Sequence, residues 1–155
     1  MSLYTAIVTW DRSGSRFTDN RYSRAHRWTF DGGAEVPASA SPQVVPVPLA
    51  DPAGVDPEEA FVAALSSCHM LWFLFIAAKR GFTVDAYRDE ARGELGRNRE
   101  GRFAMTRVVL RPRIEFSGTA LPDSDQLRAM HEEAHHECYI ANSVHTVVTV
   151  EPPTP

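Results

Sequence analysis

FVAALSSCHMLWFLFIAAKRG, residues 61–81, is the most hydrophobic stretch of the chain, and a cysteine and a histidine, Cys68 and His69, stand side by side within it. Just upstream, Asp56 is a good N-cap, Pro57 suits the first helical position, and Glu58 and Glu59 favour the positive end of the helix dipole. Gly81, after Lys79 and Arg80, marks the stop. The stretch therefore predicts one helix from Asp56 to Gly81. Met70 to Ala78 are apolar all round, so this helix should be covered on every side. Ala60 to Ala78 is just long enough to raise a membrane span. Ser66, Ser67 and His69 interrupt it, and the one-sided strands elsewhere need a soluble core, so a buried helix is expected.

On either side of the helix the chain reads as strands. LYTAIVTW (3–10) and RAHRWTF (24–30), separated by a polar turn region with Gly14 and Asn20, predict a hairpin. Residues 31–55 carry Pro37, Pro42, Pro46, Pro48 and Pro52, which forbid a helix and allow at most a short edge strand. Two extended segments, about 82–96 and 103–117, are joined by the turn-rich RNREGR. In the second, Val108, Leu110, Pro112, Ile114 and Phe116 share one face and Arg107, Arg111, Arg113 and Glu115 the other, as a half-solvated antiparallel strand requires. Pro112 marks an edge or a bulge. A second helix is expected from about Asp123 to Cys138, and VHTVVTV (144–150) is a closing strand. The order β-β-α-β-β-α-β is an α+β class, and its length of 155 residues fits a single domain, 1–155.

Composition narrows the function. Sixteen Lys+Arg against 20 Asp+Glu give a net charge of -4, with the arginines dispersed, so nucleic acid is not an expected partner. MSLYTAIVTWDRSG lacks a basic region followed by an apolar one, which makes a cytoplasmic protein the expectation. Two cysteines are too few for a secreted disulfide scaffold and too far apart for a CxxC motif.

Three constellations could carry chemistry. HEEAH (131–135) matches the HExxH zinc pattern, with His131 and His135 on one helical face, Glu132 as a base, and His136 and Cys138 as further ligands. Its other reading is a solvated, His-rich helix end favoured by the dipole. Cys68 and Cys138 are the second, each either an inert small hydrophobe or a reactive thiol. The third is the charge that activates a thiol. Position 68 is mid-helix, beyond the reach of the dipole, so a cation must come from elsewhere; Arg12, Arg16, Arg21, Arg24 and Arg27 cluster in the first hairpin. Glu58 stands ten residues before Cys68, about 15 Å along a continuous helix, and cannot touch that thiol within one chain.

DPEEAFVAALSSC (56–68) and AHHECYIANSV (134–144) together resemble the OsmC/Ohr family of osmotically inducible and organic hydroperoxide resistance proteins, and the similarity runs from about residue 20 to 150. The resemblance implies an OsmC-like fold, with antiparallel sheets wrapped around two central helices in an intertwined homodimer. It implies a thiol peroxidase needing no cofactor or metal, acting on organic hydroperoxides and recycled by an external dithiol. By position, Cys68 matches the peroxidatic cysteine, Cys138 the resolving cysteine, and Glu58 the acidic residue that pairs with an active-site arginine. Arg24 in YSRAHRWTF is the arginine chosen, with Arg21 and Arg27 as alternatives. Phe61, Leu65 and Trp72 would supply apolar walls. Tyr139 replaces a common proline and His69 a usual apolar residue. A protein of this fold without peroxidase activity, and a zinc hydrolase built on HEEAH, are the rival readings.

Overall fold

Asp56 opens the long helix α1 (Pro57–Lys79) with a capping box: the Glu59 N–H donates to Asp56 Oδ1 at 2.8 Å, and the Asp56 N–H donates to Glu59 Oε2 at 3.2 Å. At its far end Gly81, at φ 82°, allows the chain to leave in the left-handed region. The Phe82 N–H then reaches the Ala77 carbonyl and the Gly81 N–H that of Ala78, each at 3.0 Å. Both ends thus lie where the capping residues put them. The computed structural model describes residues 1–151 and divides into two compact units, Met1–Ala60 and Phe61–Pro155.

The first unit is a three-stranded antiparallel sheet in the order β1 (Ala6–Thr9), β2 (His26–Phe30), β3 (Glu35–Ala38). The expected hairpin is β1–β2, in the register Ala6↔Phe30 to Thr9↔Arg27. The proline-rich segment contributes β3, an edge strand containing Pro37, where a missing N–H is tolerated. Beyond it, Ala38 and Val55 form an isolated bridge, and Gly54 lies so close to the Ala38 backbone that a Cβ would meet it at 2.8 Å.

In the second unit the two expected long strands each break in the middle, giving β4 (Thr83–Asp89), β5 (Arg92–Arg97), β6 (Phe103–Leu110) and β7 (Pro112–Ser117). β4 pairs with β7 and β5 with β6, both antiparallel. The break is set between two strands. Pro112 lies opposite Asp89 and has no N–H to give the ladder, while the Arg111 N–H is drawn to Asp89 Oδ1 at 2.6 Å. Helix α2 (Ser124–Glu137) follows, with an Asp123–Gln126 capping box. A short 3-10 turn (Ala141–Ser143) leads to β8 (Val147–Val150). β8 runs parallel to β6, from Arg107↔Val147 to Leu110↔Val150, so the sheets are not purely antiparallel as expected. α2 is the reason: a helical crossover returns the chain to the starting end of the sheet, and the next strand then runs parallel.

Two apolar clusters line α1. Leu65 packs with Val108 and Leu110, flanked by Phe61, Val62, Val148 and Val150. Phe73, Ile76 and Ala77 pack with Met130 and Ala134 of α2, flanked by Phe82, Val84, Ile114 and Phe116. At Gly93 the strand comes so close to the helix that a Cβ would stand 2.5 Å from Val62 Cγ2 and 2.4 Å from Met105 Cε. The helix is long and apolar enough to cross a membrane, yet Leu65, His69, Phe73, Ile76 and Ala77 are core residues. It is not covered all round in the single chain. Ala64, Ser67, Leu71, Phe75 and Ala78 form an open stripe at helical spacing, with Leu71 63% and Phe75 57% exposed.

Candidate thiol site

The polar residues in the middle of α1 fall at the seam between its two apolar clusters. Ser66 donates to Asp89 Oδ2 at 2.5 Å, the same carboxylate that holds the strand break at Arg111. His69 is 1% exposed, and its Nε2 lies 3.0 Å from Nδ1 of His131, which is itself 8% exposed and stacks on Phe73. Cys68 is half-buried at the edge of the open stripe. Each interruption of the apolar run therefore meets a specific partner, except Ser67, which bonds back to the Ala64 carbonyl.

Cys138 is the C-cap of α2 and is 1% exposed. Both cysteines are free, and the Cys68 thiol lies near enough to that of Cys138 to influence its ionisation. Burial, and then the Cys68 thiol beside it, push the Cys138 thiol up to about 11, against a smaller opposing pull from the N–H groups of Ala141 and Ile140. The Ala141 N–H to Cys138 Sγ distance is 3.4 Å. Cys138 is thus protonated at neutral pH. The approach to the pair is aromatic: Trp72, one turn beyond Cys68, meets Tyr139 edge-on at 5.6 Å and Phe75 at 5.8 Å. Of the expected apolar walls, Trp72 fits; Leu65 is 1% exposed and belongs to the core, with Phe61 packed against its cluster.

His69 faces away from the thiol, toward α2, as the angular offset of adjacent helical residues requires. Burial, and next the His131 and His135 rings, hold its imidazole down at about 3; burial alone holds His131 at about 4. Both rings are neutral at pH 7. HEEAH accordingly splits: His131 is committed to His69, whereas His135 and His136 are exposed. Among the described residues no group of three or more His, Cys, Asp or Glu side chains could hold a metal. The solvated helix end holds for His135 and His136 and fails for His131. Nothing in the spacing joins His69 to His131; the one sign is that each stands among core residues, with Met130 and Ala134 beside His131.

The remaining candidates lie in the first unit. Arg24 is partly buried, its guanidinium 3.8 Å over the Tyr22 ring, donating to the Tyr22 and Asn20 carbonyls and, at 2.8 Å, to Asn20 Oδ1. It lines a cavity of about 500 Å³ with Trp10, Phe17, Tyr22 and His26. Arg21 is exposed, and Arg27 is exposed and paired with Glu35 at 2.5 Å. Glu58 is partly buried in the first turn of α1.

Comparison with known proteins agrees with this architecture. No curated protein matches the chain. An OsmC-like protein of unknown function from Vibrio cholerae is 60% identical in sequence, with a TM-score of 0.97 over 99% of this chain and 100% of its own. The organic hydroperoxide resistance protein OsmC of Legionella pneumophila (19% identity, TM-score 0.67, 98% of this chain and 97% of its own) shares the fold. So does OhrB of Bacillus subtilis, an organic hydroperoxide resistance protein (19%, 0.63, 98% and 100%). The family model for OsmC-like protein matches residues 50–152, and the chain belongs to the OsmC-like family.

Proposed function

We propose that the protein is a thiol-dependent peroxidase that reduces organic hydroperoxides, and hydrogen peroxide less readily, through Cys68 and Cys138. The observation that carries this reading is the proximity of two free thiols, one half-buried and the other buried, with Trp72 and Tyr139, their near neighbours along the chain, meeting edge-on. In the proposed cycle the Cys68 thiolate attacks the distal peroxide oxygen, the O–O bond breaks, and the alkoxide leaves to be protonated as an alcohol. Cys68 is then a sulfenic acid. Cys138 attacks that sulfur, water departs, and a disulfide joins the two residues. An external dithiol returns both to thiols.

Activation of Cys68 falls to Arg24, oriented by Glu58, supplied across an intertwined homodimer. Of the three arginines weighed, Arg24 is the one that is partly buried and lines a cavity, whereas Arg27 is engaged by Glu35 and Arg21 is exposed. The open stripe through Leu71 and Phe75 supports a second copy as the cover of α1. A guanidinium there would favour the thiolate and oppose the charge developing on the leaving oxygen. The cytoplasm, where dithiol reductants operate, is the compartment this chemistry fits. The test is peroxide consumption by purified protein with a small dithiol: turnover in wild type and none in Cys68→Ser supports the reading, and equal rates in both refute it.

A further inference from the structure

Apolar packing is non-directional, and the α1–α2 contact through Phe73, Ile76, Ala77, Met130 and Ala134 would by itself tolerate small slips. The His69–His131 contact would not. Two neutral imidazoles can share a hydrogen bond when one donates and the other accepts. The rings stand nearly parallel, 9° apart, with Nε2 of His69 facing Nδ1 of His131. His69 Nδ1 is already buried with no partner among the described residues. A one-residue slip of α2 would put Met130 or Glu132 in place of His131, and both nitrogens of a fully buried ring would then be unpaired. The same slip would carry Cys138, two turns further along an unbroken helix, by about 1.5 Å and about 100°. A disulfide tolerates a Cβ–Cβ range of only about 1 Å.

We propose that His69 and His131 are positioning residues for the thiol pair: their hydrogen bond fixes the register of α2 on α1 that holds Cys138 against Cys68, and so sets how readily the disulfide forms. Neither ring takes part in the chemistry. The inference rests on Cys68 and Cys138 acting as a redox pair but not on peroxide being their oxidant.

The test is equilibration with dithiothreitol, in which oxidised dithiothreitol accepts the two electrons and two protons that the thiols release on forming the disulfide. Trapped mixtures are quantified by mass spectrometry, and folding is followed by thermal denaturation. His69→Leu/His131→Leu removes both polar groups together and should remain folded, with its disulfide-forming constant at least tenfold below wild type, or about 30 mV. His69→Gln places an amide nitrogen near the position of Nε2 and should stay within about threefold, whereas His69→Met should fall at least tenfold. A folded double variant with the wild-type constant would overturn the proposal. So would equal constants for His69→Gln and His69→Met, a comparison that stands if the double variant does not fold. A wild-type protein that forms this disulfide with dithiothreitol but consumes no peroxide would remove the peroxidase reading and leave this one in place.

Discussion

His69 and His131 meet nitrogen to nitrogen at 3.0 Å in the interior, joining α1 to α2 at the seam between the two apolar clusters of the second unit. Both are held neutral well below the usual histidine range, at about 3 and about 4. The unfolded chain therefore binds protons that the folded one refuses once the pH falls below about 6.5. The stability this provides is complete above that pH and is lost as the pH falls toward the folded values. The loss should reach up to about 1.4 kcal/mol per pH unit for each histidine. Urea unfolding at pH 7, 6 and 5 should show the decline, and His69→Leu/His131→Leu should flatten it. Parallel curves for the two proteins would contradict the assignment.

Gly93 offers a test of the packing. An added Cβ would lie 2.5 Å from Val62 Cγ2 and 2.4 Å from Met105 Cε. Met105 can swing its tip aside, but the branched Val62 on the helix cannot. Gly93→Ala should cost about 1–3 kcal/mol in urea unfolding. No loss would mean that β5 and α1 are less close than they stand.

How much of this was legible beforehand depends on where the physical signal lay. Capping residues are local, and Asp56, Gly81 and Asp123 mark the two helices where they occur. The strand break at Asp89 and Pro112 is not local: it needs the carboxylate of one strand to take the N–H of Arg111 on another. Only the proline gave a hint. The pairing of Cys68 with Cys138 rests on the family resemblance rather than on the residues themselves. The histidine pair was missed because an HExxH spacing read along one helix says nothing of a partner on another. The apolar run of α1 calls for more cover than one small sheet can give, and the single chain accordingly covers one side and leaves Leu71 and Phe75 open.

That open side leads to a prediction about assembly. If a second copy covers it, Leu71→Asp or Phe75→Asp should shift the sedimentation of the protein from dimer to monomer at low micromolar concentration. Wild type sedimenting as a folded, active monomer would contradict the dimer.

The arginine assignment is tested in the same assembly. Arg24→Met should slow peroxide attack by more than tenfold, corresponding to about 1.4 kcal/mol. Glu58→Gln should slow it less, since the cation remains. Because Arg24 also ties down the Asn20–Tyr22 turn, circular dichroism of each variant must match wild type before rates are compared. A wild-type rate in Arg24→Met, with the loss appearing in Arg21→Met or Arg27→Met, would move the role to that residue.

The central claim is that Cys68 and Cys138 act as one redox unit toward peroxide, and stoichiometric oxidation tests it most directly. One equivalent of cumene hydroperoxide should convert the reduced protein to a form in which peptide mapping by mass spectrometry finds a single disulfide between Cys68 and Cys138. In Cys138→Ser the same treatment should leave a sulfenic acid at Cys68 that a dimedone-type reagent captures. Peroxide consumed while both cysteines remain free thiols would contradict the account.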